Sequence, residues 1–172
     1  MEFIKRHLTN EVKKSLKHFP VVAITGPRQC GKSTLVKHLL GNMKLIYLDL
    51  ERMSDLRKLD EAEWFLQSQK GKTICLDEVQ RKPEIFQLIR SLVDEWRKNG
   101  SFLILGSASR DLLKQSSESL AGRISYKRLT PFLWSEVKNM SSIEHFLFRG
   151  GFPGSLFFCL YYNTIYYNIV LY

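Results

Sequence analysis

An α/β fold with a mainly parallel sheet and helices on both faces is predicted by three observations. Four short apolar runs, at 21–25, 44–50, 72–77 and 101–107, are separated by enough chain for a helix between each pair. The intervening segments repeat apolar residues at helical spacing. The runs themselves are near-continuously apolar, as strands are when both sheet faces are covered. An alternating strand and helix order of this kind implies crossover helices and parallel pairing.

Each element has a local reason. Between Met1 and Phe19, Ile4, Leu8, Val12 and Leu16 recur at helical spacing among Lys5, Arg6, Lys13, Lys14 and Lys17. This reads as an amphipathic helix that packs on the core, not as a secretory signal. Val21-Val22-Ala23-Ile24-Thr25 is the first strand, and Leu35, Val36, Leu39 and Leu40 mark the helix after it. Lys44 to Leu50 and Lys72 to Asp77 are the second and third strands. A helix is expected from about Pro83 to Asn99, with Ile85, Ile89, Leu92, Val93 and Trp96 on its apolar face. Pro83 and Glu84 favour its start, Arg97 and Lys98 its end, and Gly100 its stop. Ser101 to Ser107 is the fourth strand, a helix begins near Arg110, and Ser125 to Leu129 is a fifth strand.

The turn after the first strand carries chemistry. Gly26-Pro27-Arg28-Gln29-Cys30-Gly31-Lys32-Ser33 is a complete GxxxxGK[ST] loop between a strand and a helix, the context this motif requires. Backbone N–H groups of such a loop, together with the N-terminus of the next helix, meet nucleotide phosphates without bulky side chains. Lys32 supplies a point charge to the β- and γ-phosphates, and the Ser33 hydroxyl is placed to ligate Mg²⁺, with Thr34 completing the contact segment. The third strand ends in Asp77-Glu78. Asp77 fits a Mg²⁺-holding role exercised through water, and Glu78 that of a general base for an attacking water. The same pair also suits a turn and helix cap ahead of Pro83. Ser107, at the end of the fourth strand, is placed either to sense the γ-phosphate or to cap the next helix. Arg123 follows Gly122 and reads either as an arginine finger, in cis or across an oligomer interface, or as a surface ion pair.

Six blocks in order carry a resemblance: F-P-V-V-A-I-T-G-P-R-Q-C-G-K-S-T-L, then Tyr47 to Glu51, then Leu76-Asp77-Glu78-Val79-Gln80 with Pro83-Glu84, Leu105 to Ser109, Ser119 to Arg123, and Gly150-Gly151-Phe152-Pro153. Together they resemble the prokaryotic ATPases of the AAA+ superfamily that join an N-terminal P-loop ATPase domain to a C-terminal domain of unknown function. The resemblance covers about Met1 to Gly154. It implies a three-layer αβα P-loop NTPase sandwich with strand order 5-1-4-3-2, ATP rather than GTP, and Mg²⁺ as cofactor. Neither an Asn-Lys-x-Asp guanine signature nor an LSGGQ-like segment is present.

After Gly154 the pattern departs from that family. No charged residue follows Arg149, and five of the seven tyrosines fall between Tyr161 and Tyr172. The expected organisation is therefore an ATPase domain over 1–154 and an aromatic, uncharged tail over 155–172, a truncation or frameshift remnant. A membrane span is disfavoured, since tyrosines and asparagines sit centrally and the segment is at the lower limit of spanning length. Cys30, Cys75 and Cys159 share no metal spacing, which fits a reducing, cytoplasmic setting. Net charge is +9, with 26 basic residues against 17 acidic. That excess is read as a solvated basic surface, with nonspecific nucleic-acid binding as its weaker alternative. Two function classes stay open: an ATP-hydrolysing enzyme, with a second copy of the chain as a candidate partner in a homo-oligomer, and a nucleotide-binding module or inactive fragment without turnover.

Overall fold

Five strands pair in parallel in the order β2-β3-β4-β1-β5, which is the expected 5-1-4-3-2 order read from the other edge. They are β1 (Val21–Thr25), β2 (Leu45–Asp49), β3 (Thr73–Asp77), β4 (Phe102–Gly106) and β5 (Ile124–Arg128). The computed structural model describes residues 3–39, 44–107 and 116–157. The helix expected near Arg110 and nearly all of the aromatic tail lie outside those residues.

Alternation along each strand sorts side chains to two faces, and each face has its own helices. Val21 and Ala23 of β1, Ile74 and Leu76 of β3, and Phe102 and Ile104 of β4 point to one side. There they pack against α4 (Ala62–Ser68) and α5 (Ile85–Trp96), the latter through Ile85, Phe86, Ile89, Leu92, Val93 and Trp96. Val22, Ile24, Cys75, Leu103 and Leu105 point to the other side, against Val12 and Leu16 of α1 (Leu8–His18) and Leu35, Val36 and Leu39 of α2 (Lys32–Leu39). Burial on both faces explains why the central strands carry no alternating polar residues. Each such side chain contributes about 1.5–3 kcal/mol of transfer free energy. Shorter helices are α3 (Met53–Leu56) after β2, and α6 (Trp134–Val137) and α7 (Ile143–Arg149) after β5.

Two helix boundaries differ from expectation. The first helix begins at Leu8, so Ile4 is not on its apolar face. Ile4 instead packs with Val137, Leu156, Phe157 and Phe132 in a third, small cluster. The long helix runs from Ile85 to Trp96, because Arg97 adopts the left-handed conformation at φ 48° and closes it one turn early. Packing also continues past residue 154, where Leu156 and Phe157 are buried. Among the described residues no helix is long and apolar enough to cross a membrane.

Candidate active site

Parallel register brings the carboxyl ends of β1, β3 and β4 to one sheet edge, where ligands of open α/β sheets bind. Thr25 pairs with Gly106, and β4 separates β1 from β3. The loop from Gly26 to Gly31 leaves β1 at this edge and enters α2 at Lys32. Its path depends on two glycines. A Cβ on Gly26 would lie 2.2 Å from the Leu129 carbonyl oxygen, and Gly31 sits at φ 96°, a conformation that L side chains rarely adopt. Gln29 also has positive φ, at 61°.

Lys32 is buried, and its Nζ donates to the carbonyls of Gly26 at 3.1 Å and Pro27 at 2.9 Å. Ser33 Oγ donates to Asp77 Oδ2 at 2.6 Å, so the loop motif and the acidic strand end meet directly. Asp77 has two further donors: the Tyr47 hydroxyl reaches the same Oδ2, and the Glu78 backbone N–H reaches Oδ1 at 3.0 Å. Burial first, then the neighbouring Asp77 carboxylate, push the Tyr47 phenol well above its ordinary pKa, so it stays a donor. Glu78 occupies the left-handed region at φ 54° and ψ 46°, strain of about 1–3 kcal/mol for a non-glycine residue. Its carboxylate accepts from Gln80 Nε2.

A cavity of about 630 Å³ opens over the loop. Its polar lining comes from Arg6, Arg28, Gln29, Lys32, Ser33 and Thr34, with Glu51 and Glu78, and from the backbone of Gly31. Its apolar lining comes from Phe3, Ile4, Leu35, Phe132, Pro153 and Phe157, with the His38 ring beside them. Phe3 stacks on His38 at 4.0 Å between ring centroids. Arg28 is exposed and pairs with Glu51 at 3.7 Å. Cys30 does not face the cavity. Its side chain is fully buried, Sγ contacts the Leu129 carbonyl oxygen at 3.7 Å, and burial raises the thiol pKa against the lowering effect of Lys32 and Arg6.

Ser107 follows Gly106 on the same sheet edge as the loop. Arg123 is not brought to the site. It precedes β5 at the opposite edge, where its carbonyl accepts the Val21 N–H at 3.1 Å, about 13 Å of strand from the loop. Its guanidinium pairs with Asp94 at 2.6 and 2.9 Å, so the ion-pair alternative describes it and a finger in cis does not. Residues missed in the sequence are Tyr47, Gln80 and Arg6. Tyr47 needed the β2–β3 register, which pairs Asp49 with Asp77. Gln80 needed the left-handed turn at Glu78. Arg6 lies in a segment whose spacing read as helix.

A three-layer αβα arrangement in which a GxxxxGK[ST] loop meets an Asp-Glu strand end defines a P-loop ATPase fold. The AAA domain family matches residues 18–138, and the chain belongs to that family. Two uncharacterized proteins, one of Mycobacterium bovis and one of Mycobacterium tuberculosis, are each 37% identical to it over 151 residues. That match covers 88% of this chain and 34% of theirs, so the chain spans about a third of their length. A Walker-type ATPase of Pyrococcus abyssi shares the fold at a TM-score of 0.59 and 16% identity, over 90% of this chain and 65% of that one. A STAND protein with a tetratricopeptide repeat sensor from Pyrococcus horikoshii does so at 0.55 and 16%, over 90% and 29%.

Proposed function

We propose that the domain binds ATP with Mg²⁺ and hydrolyses it, with Glu78 as general base. The observation that carries this reading is the 2.6 Å contact between Ser33 and Asp77, which joins two motifs 44 residues apart at one point. A hydroxyl and a carboxylate are the hard oxygen donors that suit Mg²⁺, with Ser33 a direct ligand and Asp77 acting through water. When bound there, Mg²⁺ offsets charge on the β- and γ-phosphate oxygens.

The chain's own residues do the rest. Lys32 exchanges the Gly26 and Pro27 carbonyls for phosphate oxygens, and the loop N–H groups complete the cup. The stacked Phe3 and His38 rings in the cavity lining accept the base. Glu78 takes a proton from a water whose oxygen attacks the γ-phosphorus. The bond to the β–γ bridging oxygen then breaks, releasing ADP and phosphate. Ser107 lies at the strand end from which its hydroxyl would orient that water.

ATP turnover measured beside ATP affinity tests this. Glu78→Gln should bind ATP as the parent does and turn it over about 10²- to 10⁴-fold more slowly. Equal turnover removes Glu78 from the role. A non-hydrolysing nucleotide module is the second reading, supported by the Gln80 contact on Glu78 and by the remote position of Arg123. Retained affinity without turnover in the parent selects it.

A further inference from the structure

Arg6 is a buried cation in the wall of the same cavity, where its guanidinium is held on several sides. Nη1 donates to the Cys30 carbonyl at 3.0 Å, and Nη2 to the carbonyls of Thr130 at 2.7 Å and Pro131 at 3.2 Å. Nε donates to Glu136 Oε2 at 3.1 Å, and the guanidinium carbon lies 4.4 Å from the Phe132 ring centre. Glu136 is itself buried and fully engaged, accepting the backbone N–H groups of His7 at 2.8 Å and Leu133 at 3.0 Å. Four partners on three chain segments leave the guanidinium one orientation.

The contact on Cys30 has a consequence for the loop. A trans peptide is planar, with its carbonyl and its N–H antiparallel. Holding the Cys30 carbonyl therefore sets the direction of the Gly31 N–H, which belongs to the same peptide unit. That unit flanks the φ 96° glycine, so the local backbone offers little resistance to its rotation. Cys30 is pinned twice, its thiol against Leu129 and its carbonyl on Arg6.

We propose that Arg6 is a positioning residue of the phosphate loop, aiming the Gly31 N–H at bound polyphosphate by gripping the Cys30 carbonyl. This rests on the ATP-binding reading above. It makes the segment ahead of α1, with Phe3 and Ile4 in the cavity wall, part of the nucleotide site.

Inorganic tripolyphosphate is the probe, because it reports the phosphate end alone. Its affinity is measured by calorimetry, with thermal midpoints alongside, in the parent, Arg6→Lys and Glu136→Gln. A lysine keeps the charge but cannot fork to Cys30, Thr130 and Glu136 together. Arg6→Lys should therefore lose affinity about tenfold, as expected for one charge-assisted hydrogen bond. Glu136→Gln leaves the Cys30 contact in place, so its thermal midpoint should fall while its affinity stays within about twofold of the parent. If Arg6→Lys does not fold, the pair R6M/E136Q removes both buried charges at once and should show the same tenfold loss. Parent-like affinity in Arg6→Lys or R6M/E136Q overturns the inference, as does an equal loss in Glu136→Gln. A parent that binds neither tripolyphosphate nor ATP overturns the nucleotide reading itself.

Discussion

Lys32 shows how a buried cation is kept in readiness. A desolvated ammonium must be paired, and here the loop's own Gly26 and Pro27 carbonyls solvate it until phosphate arrives. Lys32→Ala should weaken ATP binding by about 2–5 kcal/mol, the range for a desolvated charge pair, as read by titration with a fluorescent ATP analogue. Unchanged affinity would remove the phosphate-loop assignment. Cys30 carries the opposite lesson. Its place in the motif suits a thiol either beside the phosphates or in the loop's own packing, and the second holds: the side chain turns into the core and burial raises its pKa. A thiolate-directed maleimide should accordingly modify native Cys30 as slowly as Cys75, which burial raises further, and only through transient opening. Mass-spectrometric labelling rates at neutral pH check this, and rapid Cys30 modification that blocks ATP would place the thiol in the cup.

Elements were legible where one physical cause dominates. Continuous apolar runs predicted β1, β3 and β4 because burial on both faces leaves no alternative pattern, and the glycine-lysine loop declared itself because its spacing is set by phosphate geometry. The start of α1 was not legible: Ile4 has helical spacing to Leu8, yet it serves the small cluster with Leu156 and Phe157, a tertiary choice that periodicity cannot record. Nor was Tyr47, since only register places a β2 side chain on the β3 aspartate. This strand-to-strand contact predicts that Tyr47→Phe, which removes one of three donors on Asp77, raises the Mg²⁺ concentration needed for half-maximal ATP binding about 3- to 10-fold. ATP affinity in EDTA should be unaffected. A shift of equal size without Mg²⁺ would assign Tyr47 to packing alone.

At the scale of the molecule, the clamp between Arg6 and Glu136 ties the segment ahead of α1 to α6. Burial alone would raise the Glu136 pKa, but the Leu133 and His7 N–H groups and Arg6 hold it below the ordinary carboxylate range. A carboxylate depressed in the folded state stabilises fully above its unfolded pKa, about 4.3, and loses that contribution as pH falls through the folded value. Thermal midpoints between pH 3 and 7 should therefore fall less steeply in Glu136→Gln than in the parent, and parallel curves would show that the clamp contributes nothing to acid stability. The sheet order has a further consequence for synthesis. β1 is made early, but its neighbours are β4 and β5, encoded some 80 and 100 residues later. A ribosome therefore exposes the phosphate loop long before anything holds it open, and the loop acquires its shape only once the chain beyond residue 128 has emerged. Until then the nascent protein has no cup to offer, so nucleotide cannot guide its folding and can only reward its completion, by mass action on the finished domain.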